Sequence, residues 1–417
     1  MSNSPIKTQI SLCVMMFMQY LLLAVWWVPY VAYLTNIGIS GNLKALIMSS
    51  MAIGFMASSI MGAFADRYFS AQKILSFTNL IVAILLVCVG LTSNITLSVI
   101  LVFPIMILYM PTWSLTGVIV LKNVQSEQFP RIRLFGTLGW VASGLFSLVF
   151  IRVFQVKVFD GGTLPFLCGS GIALVASILN LTLPDTPPSG KTGRISITEL
   201  LGLNAFTMFR DRNFLIFVLS AFTAVLAYSL YYTFGAEFLQ SQHFKYITIT
   251  LNWGQAGELF FLFITSIVLT RFGFKKTMIL GLSAMIARYL SFWWGSVSDT
   301  PTFYIVGILF HGVIFGLFFV TGQIYTDKKA PDSLRAQAQG LLAFLLWGVG
   351  LIIGNFICSN LITANKTIDS TGGAVYNWPV IFGVISVFSL IVLLFFILFF
   401  KKETLFLNPQ STNHSNQ

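Results

Sequence analysis

Apolar runs bounded by charges, Pro, Gly and Asn recur along the chain. They predict membrane-spanning helices over 9–34, 43–65, 73–92, 95–121, 132–154, 164–183, 213–240, 247–270, 275–297, 301–326, 333–362 and 376–400. The runs are continuously apolar rather than alternating with period two, which argues against a β-barrel. The first follows Lys7, is too long for a signal-peptide core and has no small-residue cleavage site after it, so it is read as a retained first span. The longest polar interruption, LPDTPPSGKTGRISITELLGLNAFTMFRDRN (183–213), follows the sixth span and divides the twelve into six and six. Its prolines end a helix, and the amphipathic stretch 195–209 is suited to a membrane surface. The expected organisation is an N-terminal six-helix half (1–183), a linker (184–212), a C-terminal six-helix half (213–402) and a disordered tail (403–417).

Composition agrees with this layout. Of the 417 residues 56% are hydrophobic and 9% charged, against roughly a quarter charged in an average soluble domain. The chain is therefore expected to be an all-α integral membrane protein whose main partner is the lipid bilayer, with no room for a sizeable soluble domain.

The formal charge of +11 looks at first like a nucleic-acid signal. Its placement says otherwise. With an even number of spans both termini share one side, and 18 of the 24 Lys and Arg fall there; Lys44, Arg152, Lys157, Lys245 and Lys366 fall on the other, and Arg288 lies inside a span. That asymmetry is the positive-inside pattern, so both termini are expected in the cytoplasm and no nucleic acid is needed to explain the charge.

Cofactor and enzyme chemistry find little support. Cys13, Cys88, Cys168 and Cys358 all fall in predicted spans without a CxxC pair and read as small buried side chains. His243, His311 and His414 are scattered, so neither zinc nor haem is suggested, and a Walker motif is missing. No nucleophile and base stand at workable spacing. The chain is expected to be neither an enzyme nor dependent on a cofactor.

What remains is a small set of ionisable groups at membrane depth, where their cost makes each a functional hypothesis. Glu258 lies 12 residues before Thr270 and Arg288 lies 13 after Lys275, on spans joined by the turn RFGFKK. At about 1.5 Å per residue both lie about 18–20 Å from the same membrane face and could pair. Two readings stand side by side: a fixed interhelical salt bridge, or a carboxylate that takes up a proton or holds substrate while Arg288 tunes it. Gln255, three residues before Glu258, shares its helical face, which suits hydroxyl or ring-nitrogen donors. Tyr228, Tyr231 and Tyr232 also share a face, of which Tyr232 is kept as a candidate for ribose or base.

GAFADRYFSAQK (62–73) resembles the Gly-x-x-x-Asp-Arg signature between spans two and three of the major facilitator superfamily. The resemblance implies gating or structural roles for Gly62, Asp66 and Arg67, through close helix approach and charge contacts that hold one half against the other. The equivalent turn in the second half, RFGFKK, keeps only the basic charge.

FPRIRLFGTLGWVASG (129–144), LPDTPP, GLNAF, GQAGELFF, HGVIFGLFFVTGQIYTDKKAP (311–331) and RAQAQG are similar to the bacterial nucleoside permeases of the nucleoside:proton symporter family, within the major facilitator superfamily. That resemblance runs through nearly the whole chain. It implies twelve helices in the major facilitator fold of two six-helix halves, a nucleoside bound between the halves, uptake by proton symport through alternating access, a monomer, and residence in the bacterial inner membrane. It places Arg133, Thr137 and Trp140 at the substrate, with Gln255 and Glu258 opposite, and the aromatic pair His311 and Phe315 in span ten. Positions 133, 137 and 140 form one helical stripe carrying a cation, a hydroxyl and an aromatic plane, a set that suits a base and a ribose.

Proton coupling is expected to involve Glu258, His311 and Arg288, because Gly316 stands where relatives of the family carry an aspartate. A facilitator, or a symporter of another small polar solute such as a sugar, stays open at this point. So does a sensor that kept a transporter fold, although no signalling domain is appended.

Overall fold

The computed structural model of the protein describes residues 6–65, 68–125, 128–188, 203–331, 334–368, 370 and 373–403. Each of the twelve predicted apolar runs contains helix. Among the described residues nine helices are long and apolar enough to cross a membrane. The longest, Ile247–Ser298, is two spans joined at Gly273, whose φ of 75° and ψ of 171° interrupt the helix at the RFGFKK turn. An L side chain would be strained in that conformation, so the glycine sets the reversal. The second predicted run is divided into Gly41–Met48 and Ser50–Ala65, and the sixth, Leu164–Asn180, is 17 residues long. Pro111 opens a new helix inside the fourth run, where a missing N–H costs nothing.

The chain folds into two compact units. One comprises Met1–Leu200 with Tyr232–Asn252, and the other Leu201–Tyr231 with Trp253–Gln417. The seventh span, Arg212–Ser241, therefore starts in unit two and ends in unit one.

In unit one the first span packs against the fifth (Phe129–Arg152) and the sixth, and the third (Ala71–Leu91) against the sixth and the fourth. Polar side chains fix the register of these contacts: Ser76 Oγ donates to Ser177 O at 2.7 Å and Ser170 Oγ to Ala83 O at 2.8 Å. Hydrogen bonds matter here because lipid tails supply little hydrophobic drive between helices. Lys44 Nζ donates to Glu237 Oε1 at 2.8 Å and to Thr35 Oγ1 at 2.9 Å, both charged side chains being 3% exposed. Asp160 accepts from Thr248 N (3.1 Å), Thr248 Oγ1 (2.6 Å) and Ser147 Oγ (2.9 Å), and so caps the helix that begins at Ile247.

In unit two, glycines bring spans eight and ten (Pro301–Lys329) to backbone contact. A Cβ at Gly312 would meet Gly257 O at 2.5 Å and Glu258 N at 2.6 Å, and one at Gly254 would meet His311 Cβ at 2.9 Å. Spans ten and eleven each contain a π-helical stretch, Phe315–Val320 and Phe344–Gly350, a local widening often found beside functional sites. A short hairpin, Lys366–Ile368 with Ala374–Tyr376, leads into the last span, Trp378–Phe399. Lys275 Nζ donates to Ile397 O and Phe400 O, placing a cation at that span's carboxyl end.

One expectation needs correction. Cys358 alone of the four cysteines is buried; Cys13 and Cys168 are half-buried and Cys88 is exposed on the third span, where a thiol can face lipid as a small apolar group. The stretch 195–209 is described only from residue 203, as a 3-10 helix over Leu203–Arg210.

Candidate functional site

Glu258 sits on a helix with two distinct faces. Phe260, Phe263 and Ile267 are 61%, 71% and 64% exposed and form the side suited to lipid, whereas Glu258 is 8% exposed and turns into unit two. The helix therefore spans the membrane without exposing its carboxylate to acyl chains.

Spans seven to ten of unit two contribute to the cluster around that carboxylate. Glu258 Oε2 lies 3.8 Å from His311 Nε2, and Gln255 Nε2 lies 3.4 Å from the same nitrogen. The Gly312 and Gly254 contacts explain the proximity, because only a glycine-lined crossing brings the two backbones close enough for so short a Glu–His separation. His311 stacks at 6.2 Å on both Tyr228 and Phe315 and meets Tyr231 at 5.6 Å with the rings tilted by 45°. The sequence-predicted set Gln255, Glu258, His311 and Phe315 is thus one cluster.

Arg288 joins this cluster differently from the expected pairing. It makes no ion pair with Glu258 or with any other acid among the described residues. Its guanidinium carbon lies 4.0 Å from the ring centre of Tyr231 and 5.8 Å from that of Tyr228. The side chain is fully buried, and Nε, Nη1 and Nη2 find no hydrogen bond of good geometry; the Tyr289 hydroxyl interacts with the guanidinium but donates its own proton to Ala227 O at 2.6 Å. Equal depth was the basis for the expected pair, but the rotation of each helix about its axis decides which way a side chain points. A desolvated cation–π contact supplies about 2 kcal/mol, against several kcal/mol to remove an ion from water. The aromatic ring does not offset the burial. Tyr231 Oη, Gln255 Oε1 and His311 Nδ1 are likewise buried without partners, so the cluster holds unfilled hydrogen-bonding capacity.

Unit one holds the other predicted stripe. Thr137 and Trp140 are buried at 6% and 8% exposure and Arg133 is half-buried, while Phe135 and Leu138 between them are exposed. The Arg133 guanidinium lies 4.2 Å over the ring of Tyr20; Tyr20 stacks on Trp113 at 4.5 Å, and Trp113 meets Trp140 edge-on at 6.3 Å. Trp140 Nε1 is buried without a partner. Beneath this aromatic row Gln19 Nε2 donates to Thr112 Oγ1 (2.8 Å) and Asn79 Nδ2 to Gln19 Oε1 (2.7 Å), and Tyr109 Oη donates to Gln19 O. Tyr20, Trp113 and Gln19 were not singled out in the sequence, since nothing in a run of aromatics distinguishes a site face from packing.

Tyr232 also lies in unit one, with its hydroxyl 3.8 Å from Met51 Sδ; its neighbour Tyr231 is the tyrosine at the Glu258 cluster. Gly62 falls in the helix Ser50–Ala65, and Asp66 and Arg67 lie outside the described residues. Gly316 is packed tightly: a Cβ there would meet Thr265 Oγ1 at 2.5 Å and Phe261 O at 3.1 Å. Among the described residues no group of His, Cys, Asp and Glu is arranged to hold a metal.

Residues 6–405 match the family model described as Nucleoside H+ symporter. The chain belongs to the nucleoside H+ symporter family. Within that family's range, it is 32% identical over 403 residues to YegT of Escherichia coli (strain K12), named as a candidate nucleoside transporter, with 95% of each chain covered. It is 27% identical to the xanthosine permease of the same organism, covering 96% of this chain and 97% of the permease. A solved structure of the nucleoside transporter NupG superposes with a TM-score of 0.82 at 22% identity, over 95% of this chain and all of that one. A peptide transporter, POT, superposes with a TM-score of 0.73 at 12% identity. Such likeness establishes the transporter fold, of the major facilitator type, and the neighbours are carriers rather than enzymes.

Proposed function

We propose that this member of the nucleoside H+ symporter family imports nucleosides with protons by alternating access, and that Glu258 and His311 carry the coupling proton. The observation that supports this most is the Glu258–His311 approach of 3.8 Å at a buried position, with no Lys or Arg among the described residues paired to the carboxylate. Neutralising a buried carboxylate lowers the cost of dehydrating its surroundings. Gln255, Phe315 and Tyr232, with Arg133, Thr137 and Trp140 in unit one, are assigned to the nucleoside: amide, hydroxyl and guanidinium for the ribose and base edges, rings for the base faces. Gly62, Asp66 and Arg67 are assigned to gating.

Glu258 and His311 bear this role without the aspartate found at the Gly316 position in relatives, which also gives a facilitator reading a definite basis. The proposed setting is the bacterial inner membrane, with both termini cytoplasmic and the chain monomeric.

The test is uptake of radiolabelled uridine and adenosine into proteoliposomes, with and without an inward proton gradient, for the wild type and Glu258→Gln. Uptake stimulated by the gradient and lost in the variant is expected. Uptake indifferent to the gradient would make the protein a facilitator, and uptake of neither nucleoside would overturn the proposal in favour of another polar solute.

A further inference from the structure

Among the described residues, the unsatisfied atoms of the cluster around Glu258, His311 and Arg288 are not balanced between donors and acceptors. A guanidinium presents five N–H donors in a planar fork and accepts nothing, and here the Tyr289 hydroxyl is the one polar group recorded against it, too poorly placed to satisfy any of its three nitrogens. Tyr231 Oη adds another donor, while Gln255 Oε1 and, in one tautomer, His311 Nδ1 are the unfilled acceptors. A cluster with that excess is completed by a ligand rich in oxygen acceptors. Water would satisfy it without selectivity, but a rigid fork held against an aromatic ring favours a planar partner with carbonyl oxygens at its edge.

We infer that Arg288, covered by Tyr231 in this state, is a specificity-determining residue that reads the carbonyl edge of the nucleobase, so that oxo-bases are taken over amino-bases. The inference rests on the nucleoside reading above. Tyr231 occupies the guanidinium's open face at 4.0 Å, and its hydroxyl reaches the position where a Cβ on residue 254 would stand, 3.0 Å away. Gly254 thus leaves the space that the Tyr231 hydroxyl uses. Movement of this one ring exposes the fork to a base lying against Gln255 and His311. Uracil and hypoxanthine offer a carbonyl where cytosine and adenine carry an amino group, and an amino donor facing a guanidinium leaves both unpaired.

The experiment measures competition by uridine, cytidine, inosine and adenosine against radiolabelled uridine uptake in proteoliposomes, for the wild type, Arg288→Gln and Arg288→Lys. The wild type is expected to prefer uridine over cytidine and inosine over adenosine by at least about tenfold. Arg288→Gln is expected to bring both ratios to within about twofold. Arg288→Lys, which keeps the charge but not the fork, is expected to lose at least half of each preference on a logarithmic scale, and it decides the matter if Arg288→Gln does not fold. Wild-type ratios near one would overturn the inference while leaving nucleoside transport intact. Unchanged ratios in the variants, with all uptake lowered or with only gradient stimulation lost, would overturn it in favour of a structural or counter-ion role. Uptake of no nucleoside by the wild type would overturn both this inference and the reading beneath it.

Discussion

Lys44 and Glu237 offer the sharpest test of what holds unit one together. Their N–O distance of 2.8 Å corresponds to about 6 kcal/mol of attraction at an effective dielectric near 20. Much of that is spent on removing both groups from water, so the pair's net contribution is far smaller than the cost of breaking it. Lys44→Met leaves the Glu237 carboxylate without its cation in a site 3% exposed, a loss of about 3–5 kcal/mol. At about 2–4 °C per kcal/mol for a unit of this size, the midpoint should fall by about 6–20 °C. Lys44→Met with Glu237→Gln removes both charges and should recover most of the loss. Thermal unfolding of the purified protein in detergent, followed by tryptophan fluorescence, supplies the four corners of the double-mutant cycle. A Lys44→Met midpoint within about 2 °C of the wild type, or a double variant whose loss is the sum of the two singles, would refute the reasoning.

Three other substitutions probe separate links. Gly312→Ala places a methyl within 2.5–2.6 Å of Gly257 O and Glu258 N, so spans eight and ten must part; a loss of about 1–3 kcal/mol in detergent melts and a larger fall in uptake are expected, and wild-type behaviour in both would show that the crossing is loose. Gly316→Asp meets the Thr265 hydroxyl and should express poorly, whereas Gly316→Asp with Thr265→Ala should fold; comparing membrane yields checks this, and equal yields would refute it. Burial holds the Asp160 carboxyl above its usual value of 3.8, against the hydrogen bonds from Thr248 and Ser147 that pull it down. With the folded value raised, the stabilising contribution is full below 3.8 and is lost as pH climbs through the folded value; the wild-type midpoint should therefore rise on acidification toward pH 4 more than that of Asp160→Asn, and identical pH profiles would count against it.

The helices were legible because lipid imposes a simple rule: every apolar run must satisfy its own backbone, and a run of about 20 residues has one structure in which to do so. The RFGFKK turn was legible too, since a basic cluster around a glycine stops one span and starts the next; the structure places the break at Gly273. Interruptions within an apolar run were not. The division near Ser49 and the π stretches at Phe315–Val320 and Phe344–Gly350 depend on neighbouring helices rather than on local composition. Nor did the pattern show that Tyr232–Asn252 joins the first unit, because partners such as Asp160 lie in a loop with no motif of its own.

The site shows the same division between what a helix period carries and what packing carries. Arg133, Thr137 and Trp140 follow one stripe, and three-residue spacing puts Gln255 with Glu258, so both groupings could be read before any tertiary contact was known. The partner of Glu258 could not. Depth is a one-dimensional quantity and favoured Arg288, yet the carboxylate is beside His311 because glycines at 254, 257 and 312 bring span ten closest. Arg288 is left on the face of Tyr231 with its hydrogen-bonding capacity unfilled. A fold that buries a cation without an acceptor gives up stability it could have kept with a leucine at that position. The arrangement is understandable if the missing acceptor arrives with the substrate, so that energy withheld from folding becomes available for recognition.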